Sequence, residues 1–298
     1  MLYSKLGRSD LKVSRISFGC MSLTGGTREN ELIVNEALDL GINLFDTADL
    51  YENGQNEIKL GNILRSRRDQ VILATKVGNQ ARPDGSGWDW NPHKKYILSA
   101  VEGSLKRLQT DYIDLYQLHG GTMDDPIDET IEAFELLKEQ GKIRHYGISS
   151  IRPNVIREYV SKSAIVSVMM QYSLLDRRPE EECFGLLAAN GIGVLSRGSI
   201  AQGLLANKPA KAYLGWSAED VARAAEAINA VAAGRSSNAQ TAVQFVLQHP
   251  PVQTAVTGIR TLEQLRDIAA AVNLPELTAE ELEHLSDVTA GQFYSEHR

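Results

Sequence analysis

From Ile16 onward the chain alternates short apolar runs with longer amphipathic stretches, and this alternation leaves few folds open. Strand-like runs begin near Ile16, Asn43, Val71, Ile113, Ile143, Ile165, Gly193 and Thr254. Helical spacing of apolar residues marks 29–40, 57–65, 93–108, 126–139, 153–160 and 179–189, two stretches between 218 and 248, and 261–271 after the last strand. Strands alternating with helices read as βαβ units and a parallel sheet. Gly41, Gly141 and Gly191 fall between a helix and the next strand, and Pro126 and Pro153 stand at helix starts, the usual asymmetry of helix punctuation. Eight such strands predict a single (β/α)8 TIM barrel over residues 1–298 rather than an open doubly wound sheet, and about 250 residues suffice for one. The surplus has its own pattern. Residues 2–15 hold turn residues between two short apolar pieces and read as an N-terminal β-hairpin plugging the barrel's N-terminal end. Residues 78–92, rich in Gly, Pro and Trp, read as a loop. Thr278 followed by Glu281 is a capping box that starts an extra C-terminal helix over 278–288.

Composition narrows the function. A net charge of −7 argues against nucleic acid or an anionic membrane surface as a partner. The first ten residues lack an apolar core of signal-peptide length and no later segment approaches a membrane span, so a cytoplasmic location is expected. The two cysteines, Cys20 and Cys183, are too few for a disulfide framework and have no metal-ligand spacing, so no metal site is expected. Cys20 lies in an apolar strand and reads as a buried structural thiol.

In a parallel barrel every strand ends at one mouth, so residues distant in sequence converge there. Asp46, Lys76 and His119 each end an apolar run, and Tyr51 follows Asp46 by five residues. A phenol with a pKa near 10 is a weak acid at neutral pH. A neighbouring ammonium favours the phenolate, and Lys76 can supply that field to Tyr51. Asp46 holds Lys76 charged, and a neutral His119 imidazole can donate a hydrogen bond to a carbonyl oxygen. The set polarises a carbonyl and delivers a proton to its oxygen; it lacks a source of hydride. The sequence has no G-x-G-x-x-G between a strand and a helix, so the open-sheet dinucleotide fingerprint is absent.

The segments Asn43-Leu-Phe-Asp-Thr-Ala-Asp-Leu-Tyr51, Leu73-Ala-Thr-Lys76, Asp111-Tyr-Ile-Asp-Leu-Tyr-Gln-Leu-His119, Gly147-Ile-Ser149, Gln171-Tyr-Ser-Leu-Leu175 and Gly258-Ile-Arg260 closely resemble the aldo-keto reductases, in that family's order, from about residue 2 to 271. The resemblance implies an NAD(P)H-dependent enzyme that reduces small aldehydes or ketones without a Rossmann fold. It implies Tyr51 as general acid, Lys76 and Asp46 as its tuning pair, and His119 as the carbonyl orienter. For the cofactor it implies Gly19 and Met21 after the first strand, Ser149 and Gln171 on the nicotinamide carboxamide, and Gly258, Arg260 and Gln264 at the adenosine phosphate. Asp46 also borders that cofactor site. A guanidinium such as Arg260 suits a 2′-phosphate, favouring NADPH over NADH. Trp88 and Trp90 either roof a substrate pocket, with Tyr51 and His119 at its base, or anchor their loop.

The chain departs from the family pattern at three places. Ser150 stands where many relatives have Asn, and Asp267-Ile268 where they often have Glu-Asn. Arg197 occupies the position of an aromatic residue that stacks on nicotinamide; it can stack on the ring or pair with pyrophosphate, and its charge opposes the oxidised, cationic cofactor. Taken singly, each of the four central residues has an ordinary structural reading: an ion pair, a packed aromatic, a core imidazole. Their joint occurrence favours catalysis. Two alternatives stand beside carbonyl reduction: a barrel lyase forming a Schiff base on Lys76, which Asp46 opposes by keeping that amine charged, and a cofactor-sensing binding subunit with weak turnover. The physiological substrate and the oligomeric state are not encoded in any motif.

Overall fold

The computed structural model describes residues 1–234, 236–289 and 293–298. The chain begins with an antiparallel hairpin, β1 (Tyr3–Lys5) and β2 (Lys12–Ser14). It then runs through β3 (Ile16–Gly19), α1 (Thr27–Asp39), β4 (Leu44–Asp46), α2 (Gln55–Leu64) and β5 (Ile72–Val77). A second small hairpin follows, β6 (Asn79–Ala81) with β7 (Trp88–Trp90). Next come α3 (Lys94–Leu108), β8 (Ile113–Leu118), α4 (Ile127–Glu139), β9 (Ile143–Ser149), α5 (Pro153–Lys162), β10 (Ser167–Gln171), α6 (Cys183–Ala189) and β11 (Gly193–Arg197). The sequence closes with α7 (Ala218–Ala232), α8 (Asn238–Leu247), β12 (Val252–Gly258), α9 (Leu262–Ala270) and α10 (Ala279–Val288).

Eight of these strands, β3, β4, β5, β8, β9, β10, β11 and β12, pair in parallel and close into a barrel in chain order. The barrel and its extra N-terminal hairpin agree with the sequence reading. So does α10, where Thr278 and Glu281 form the expected capping box. Residues 78–92 differ from it: β6 and β7 pair from Asn79 with Trp90 to Ala81 with Trp88. Their strands are three residues long and largely exposed, so they carry no apolar alternation, and the Gly and Pro around them dominate the sequence signal.

Two apolar layers follow from the alternation of side chains along each strand. Outward-facing residues such as Phe45, Tyr116 and Ile148 pack under the helices. Inward-facing Leu44, Ile72, Leu115, Met169 and Leu195 fill the barrel itself, together with Leu6, Leu11 and Val13 from the hairpin. The hairpin closes one end. Arg8 donates to the backbone of Ile165 and Ser163, and Ser14 exchanges hydrogen bonds with Asn43. A Cβ on Gly7 would stand 2.3 Å from the Val166 carbonyl oxygen, so the turn is pressed against the strands' N-terminal ends. Only the opposite end is left for chemistry. Among the described residues no helix is long and apolar enough to cross a membrane.

Candidate active site

Strand ends set the geometry. Gly19, Asp46, Ser149, Gln171, Arg197 and Gly258 are each the last residue of a barrel strand, Lys76 is the penultimate residue of β5, and His119 follows β8 directly. Register brings neighbours together across the mouth: Gly19 lies opposite Asp46 and Gly258, Lys76 opposite Gln117, and Gln171 opposite Arg197. His119 stays in line because its N–H donates to the Val77 carbonyl at 2.7 Å. Tyr51 opens a tight turn after β4, and the Asp49 N–H donates to the Lys76 carbonyl.

All four central residues meet. Lys76 is only 1% exposed and its ammonium donates to Asp46 Oδ2 at 2.6 Å, to the Thr47 carbonyl at 2.7 Å and to Tyr51 Oη at 3.4 Å. The same ammonium lies 5.0 Å from the Tyr51 ring centroid. The His119 ring meets the Tyr51 ring edge-on, with centroids 5.9 Å apart. Burial pulls Lys76 down, but the Asp46 carboxylate and Tyr51 outweigh it, so the amine is held above its ordinary value. Asp46 is raised by burial and drawn back by Lys76 and by Gln117. An ammonium facing a carboxylate is the consistent state of this pair, since a buried charge persists only when paired.

Lys76 acts on Tyr51 in the expected direction, but burial outweighs it. Burial raises the phenol above its ordinary value, and Lys76, though it pulls the other way, does not cancel that. The phenol therefore stays protonated at neutral pH and is a donor. His119 is pushed down to about 3, first by burial and then by Lys76 and Arg197, so its imidazole is neutral. Its Nδ1 is buried without a hydrogen-bond partner among the described residues.

The residues expected at a cofactor occupy the rest of the rim. Met21 follows Gly19 in a short 3₁₀ turn and is exposed. Gln171 is held on both sides: its Oε1 accepts from Arg197 at 2.9 Å and its Nε2 donates to Asp176, which is itself clamped by Arg178. Ser150 packs in the interior, and its Oγ accepts from the Arg152 N–H. Arg260 and Gln264 are joined where α9 begins: the Arg260 N–H donates to the Gln264 side chain, whose own backbone N–H donates to the Thr261 cap. Asp267 accepts from Ser237, and Ile268 is buried. Trp90 is half-buried, its ring within 2.6 Å of where a Cβ on Gly78 would stand and 3.3 Å of one on Gly120. Its indole N–H donates to Asp125. Trp90 thus lies beside the residues that follow Lys76 and His119, whereas Trp88 is 48% exposed.

Several participants escape a reading of the sequence. Gln117 donates to Asp46 Oδ1 at 3.3 Å; the signal was present, as a polar residue inside an apolar strand and two positions before His119, on the same face. Ser22 bonds to Gly19 and to both backbone groups of Ile259, fastening the exit of β3 to the Gly258–Arg260 turn. Buried Glu57 and half-buried Arg107 form an ion pair behind the Tyr51 turn. Both look like ordinary solvated helix charges in sequence.

Comparison with known proteins agrees with this fold. A family model described as the aldo/keto reductase family matches residues 15–290. An uncharacterized oxidoreductase of Bacillus subtilis, YqkF, is 50% identical over 99% of this chain and 98% of its own length. Among solved structures, the holo form of aldo-keto reductase AKR11C1 from Bacillus halodurans superimposes with a TM-score of 0.95 at 50% identity, covering 100% of this chain and 99% of that one. The apo form of the same protein superimposes with a TM-score of 0.86 at 46% identity, again over 100% and 99% of the two chains.

Proposed function

The chain belongs to the aldo/keto reductase family, oxidoreductases that use nicotinamide cofactors, and from that premise we propose that it reduces small aldehydes or ketones to alcohols with NADPH. The observation that carries this reading is the buried line Asp46–Lys76–Tyr51, with contacts of 2.6 and 3.4 Å and a neutral His119 alongside, at the mouth of the barrel. Bound NADPH supplies the hydride. The chain's own residues do the rest. His119 orients the carbonyl oxygen with a neutral imidazole, and Tyr51 gives its proton to that oxygen as negative charge gathers there. Lys76 then stabilises the phenolate left behind, and Asp46 and Gln117 keep Lys76 aimed. In the reverse direction the phenolate is the base, so alcohol oxidation rises toward alkaline pH.

The donor set suits a dinucleotide. Arg260 is exposed at the start of α9 and forms no ion pair among the described residues, while the first amides of that helix add positive potential. A 2′-phosphate matches that guanidinium, which is the ground for NADPH over NADH. Gly258 and Gln264 flank the same end, Ser149 and Gln171 offer paired donor and acceptor groups for a carboxamide, and Gly19 and Met21 border the floor beside Asp46. Arg197 lends a positive charge near the ring position and steadies Gln171. Trp90 forms one wall of the substrate pocket above Tyr51 and His119, with Trp88 at its outer edge. The whole is one barrel domain, and two buried thiols are in keeping with a cytoplasmic location. The Schiff-base alternative is disfavoured because a paired ammonium is not a nucleophile.

The test is NADPH oxidation against a panel of aldehydes, ketones and sugars, repeated with NADH and with Tyr51→Phe. The expected result is turnover with NADPH that falls by about 10²–10⁴ in the variant while NADPH binding persists. Wild-type turnover in Tyr51→Phe removes the mechanism.

A further inference from the structure

Behind the turn that carries Tyr51 lies a second group of charges, buried or half-buried, that proton donation does not use. Glu57, in the first turn of α2, is fully buried. Its Oε2 accepts from Arg107 Nε at 2.7 Å and its Oε1 accepts from Thr75 Oγ1 at 2.6 Å. Thr75 is the residue before Lys76 on β5. Arg107, in the last turn of α3, packs its stem on the Tyr51 turn: a Cβ on Gly54 would stand 2.9 Å from Arg107 Cδ. Gly54 ends a run of three left-handed residues, Glu52, Asn53 and Gly54, with φ of 50°, 53° and 85°. A non-glycine residue in that region costs on the order of 1 kcal/mol and persists only where its surroundings enforce it. Such a turn needs a brace, and Arg107 lies against it.

We propose that the Arg107–Glu57 pair is a positioning unit that fixes the separation of Tyr51 Oη from Lys76 Nζ, holding the Tyr51 turn through Gly54 and the Lys76 strand through Thr75. This rests on Tyr51 being the proton donor. One ion pair thereby ties two separate elements, a turn and a strand, to the same helix pair. The phenol has Lys76, Asp46 and Arg197 within electrostatic reach, and the His119 ring against it. Lys76 is the cation it touches, so a longer gap weakens the main interaction favouring the phenolate. Asp49, two residues before Tyr51, completes the group. One of its carboxyl oxygens is buried without a hydrogen-bond partner among the described residues, and the carboxyl is pushed up to about 7 by burial and by Glu57, against Arg107 and Lys76. The hydroxyls of Tyr96 and Tyr116 lie within electrostatic reach of the same cluster. Losing Arg107 therefore leaves Glu57 unbalanced beside Asp49, and the turn is the part able to move.

The experiment uses the full chain with Arg107→Met, Arg107→Lys and Glu57→Gln. Carbonyl reduction, the pH profile of alcohol oxidation and NADPH affinity by fluorescence are measured on each, with thermal melts alongside. The expected result for Arg107→Met and Glu57→Gln is a fall in kcat of about tenfold or more, an oxidation profile displaced to higher pH, and NADPH affinity unchanged. Arg107→Lys should recover part of kcat and of the profile. Loss of kcat with an unmoved profile, or wild-type kinetics in a folded variant, overturns the positioning role while leaving carbonyl reduction intact. If Arg107→Met does not fold, Glu57→Gln, which keeps shape and a hydrogen-bonding side chain, decides the matter on the same two readouts. A wild-type chain that reduces no carbonyl with NADPH overturns both proposals.

Discussion

Tyr51 and His119 lie in the same pocket and respond to it in opposite senses. Burial disfavours whichever form carries charge, so it raises the phenol and lowers the imidazole, and the positive charge of Lys76 opposes the first shift while adding to the second. Two neutral hydrogen-bonding groups then stand side by side at the barrel mouth, as the proposed carbonyl reduction requires. An ordinary histidine would take a proton near pH 6.5, but His119 holds off until about 3. Its competent, neutral form is complete at neutral pH and is lost only as the pH falls through that low value. Reduction measured as kcat/KM from about pH 5 to 8 should therefore show no limb near 6.5. A limb there that vanishes in His119→Asn rejects the neutral-imidazole role. The four central residues were legible because each terminates an apolar run or follows one closely. Glu57 and Arg107 were not, because their significance comes from the approach of α2, α3 and β5, which local sequence does not encode. The acidity of Tyr51 was half legible: a partner's charge can be read from a motif, whereas depth of burial belongs to the fold.

At the scale of elements, α2 and α3 carry the proposed positioning pair, and Gly61 sets how closely they pack. Glycine inside a helix is ordinarily replaceable, and alanine there gains about 1 kcal/mol in helix propensity. Here a Cβ would stand 2.6 Å from the Arg107 carbonyl oxygen and 2.7 Å from that of Leu108, backbone atoms with no rotamer to retreat into. Gly61→Ala is expected to destabilise the fold by roughly 1–3 kcal/mol and to lower kcat as α3 is displaced. Denaturant unfolding checks the first effect, and a more stable variant contradicts it. Strands and helices of the barrel were largely evident from period and punctuation. Gly41, Gly141 and Gly191 do take the left-handed conformation between helix and strand. The β6–β7 hairpin was hidden because it buries only its Asn79–Trp90 end, too short a face to write a pattern.

For the molecule as a whole, the division of labour runs along the barrel axis. Leu6 is fully buried among inward-facing strand residues at the end sealed by the hairpin, far along the axis from Lys76. Leu6→Ala is expected to cost roughly 2–5 kcal/mol, the range for a leucine deleted from a packed core, and to leave kcat/KM at 25 °C near the wild-type value. A thermal melt beside an activity assay separates the two effects, and lost activity in a fully folded sample breaks the proposed separation. The sealed end has a further consequence. With the interior packed and the far end covered, Asp46 and Lys76 can be approached from the mouth, past the rim where Trp90 lies beside Gly78 and Gly120. The fold is thus a socket and not a tunnel, and the hairpin that seems only to stabilise it also decides from which side anything can be plugged in.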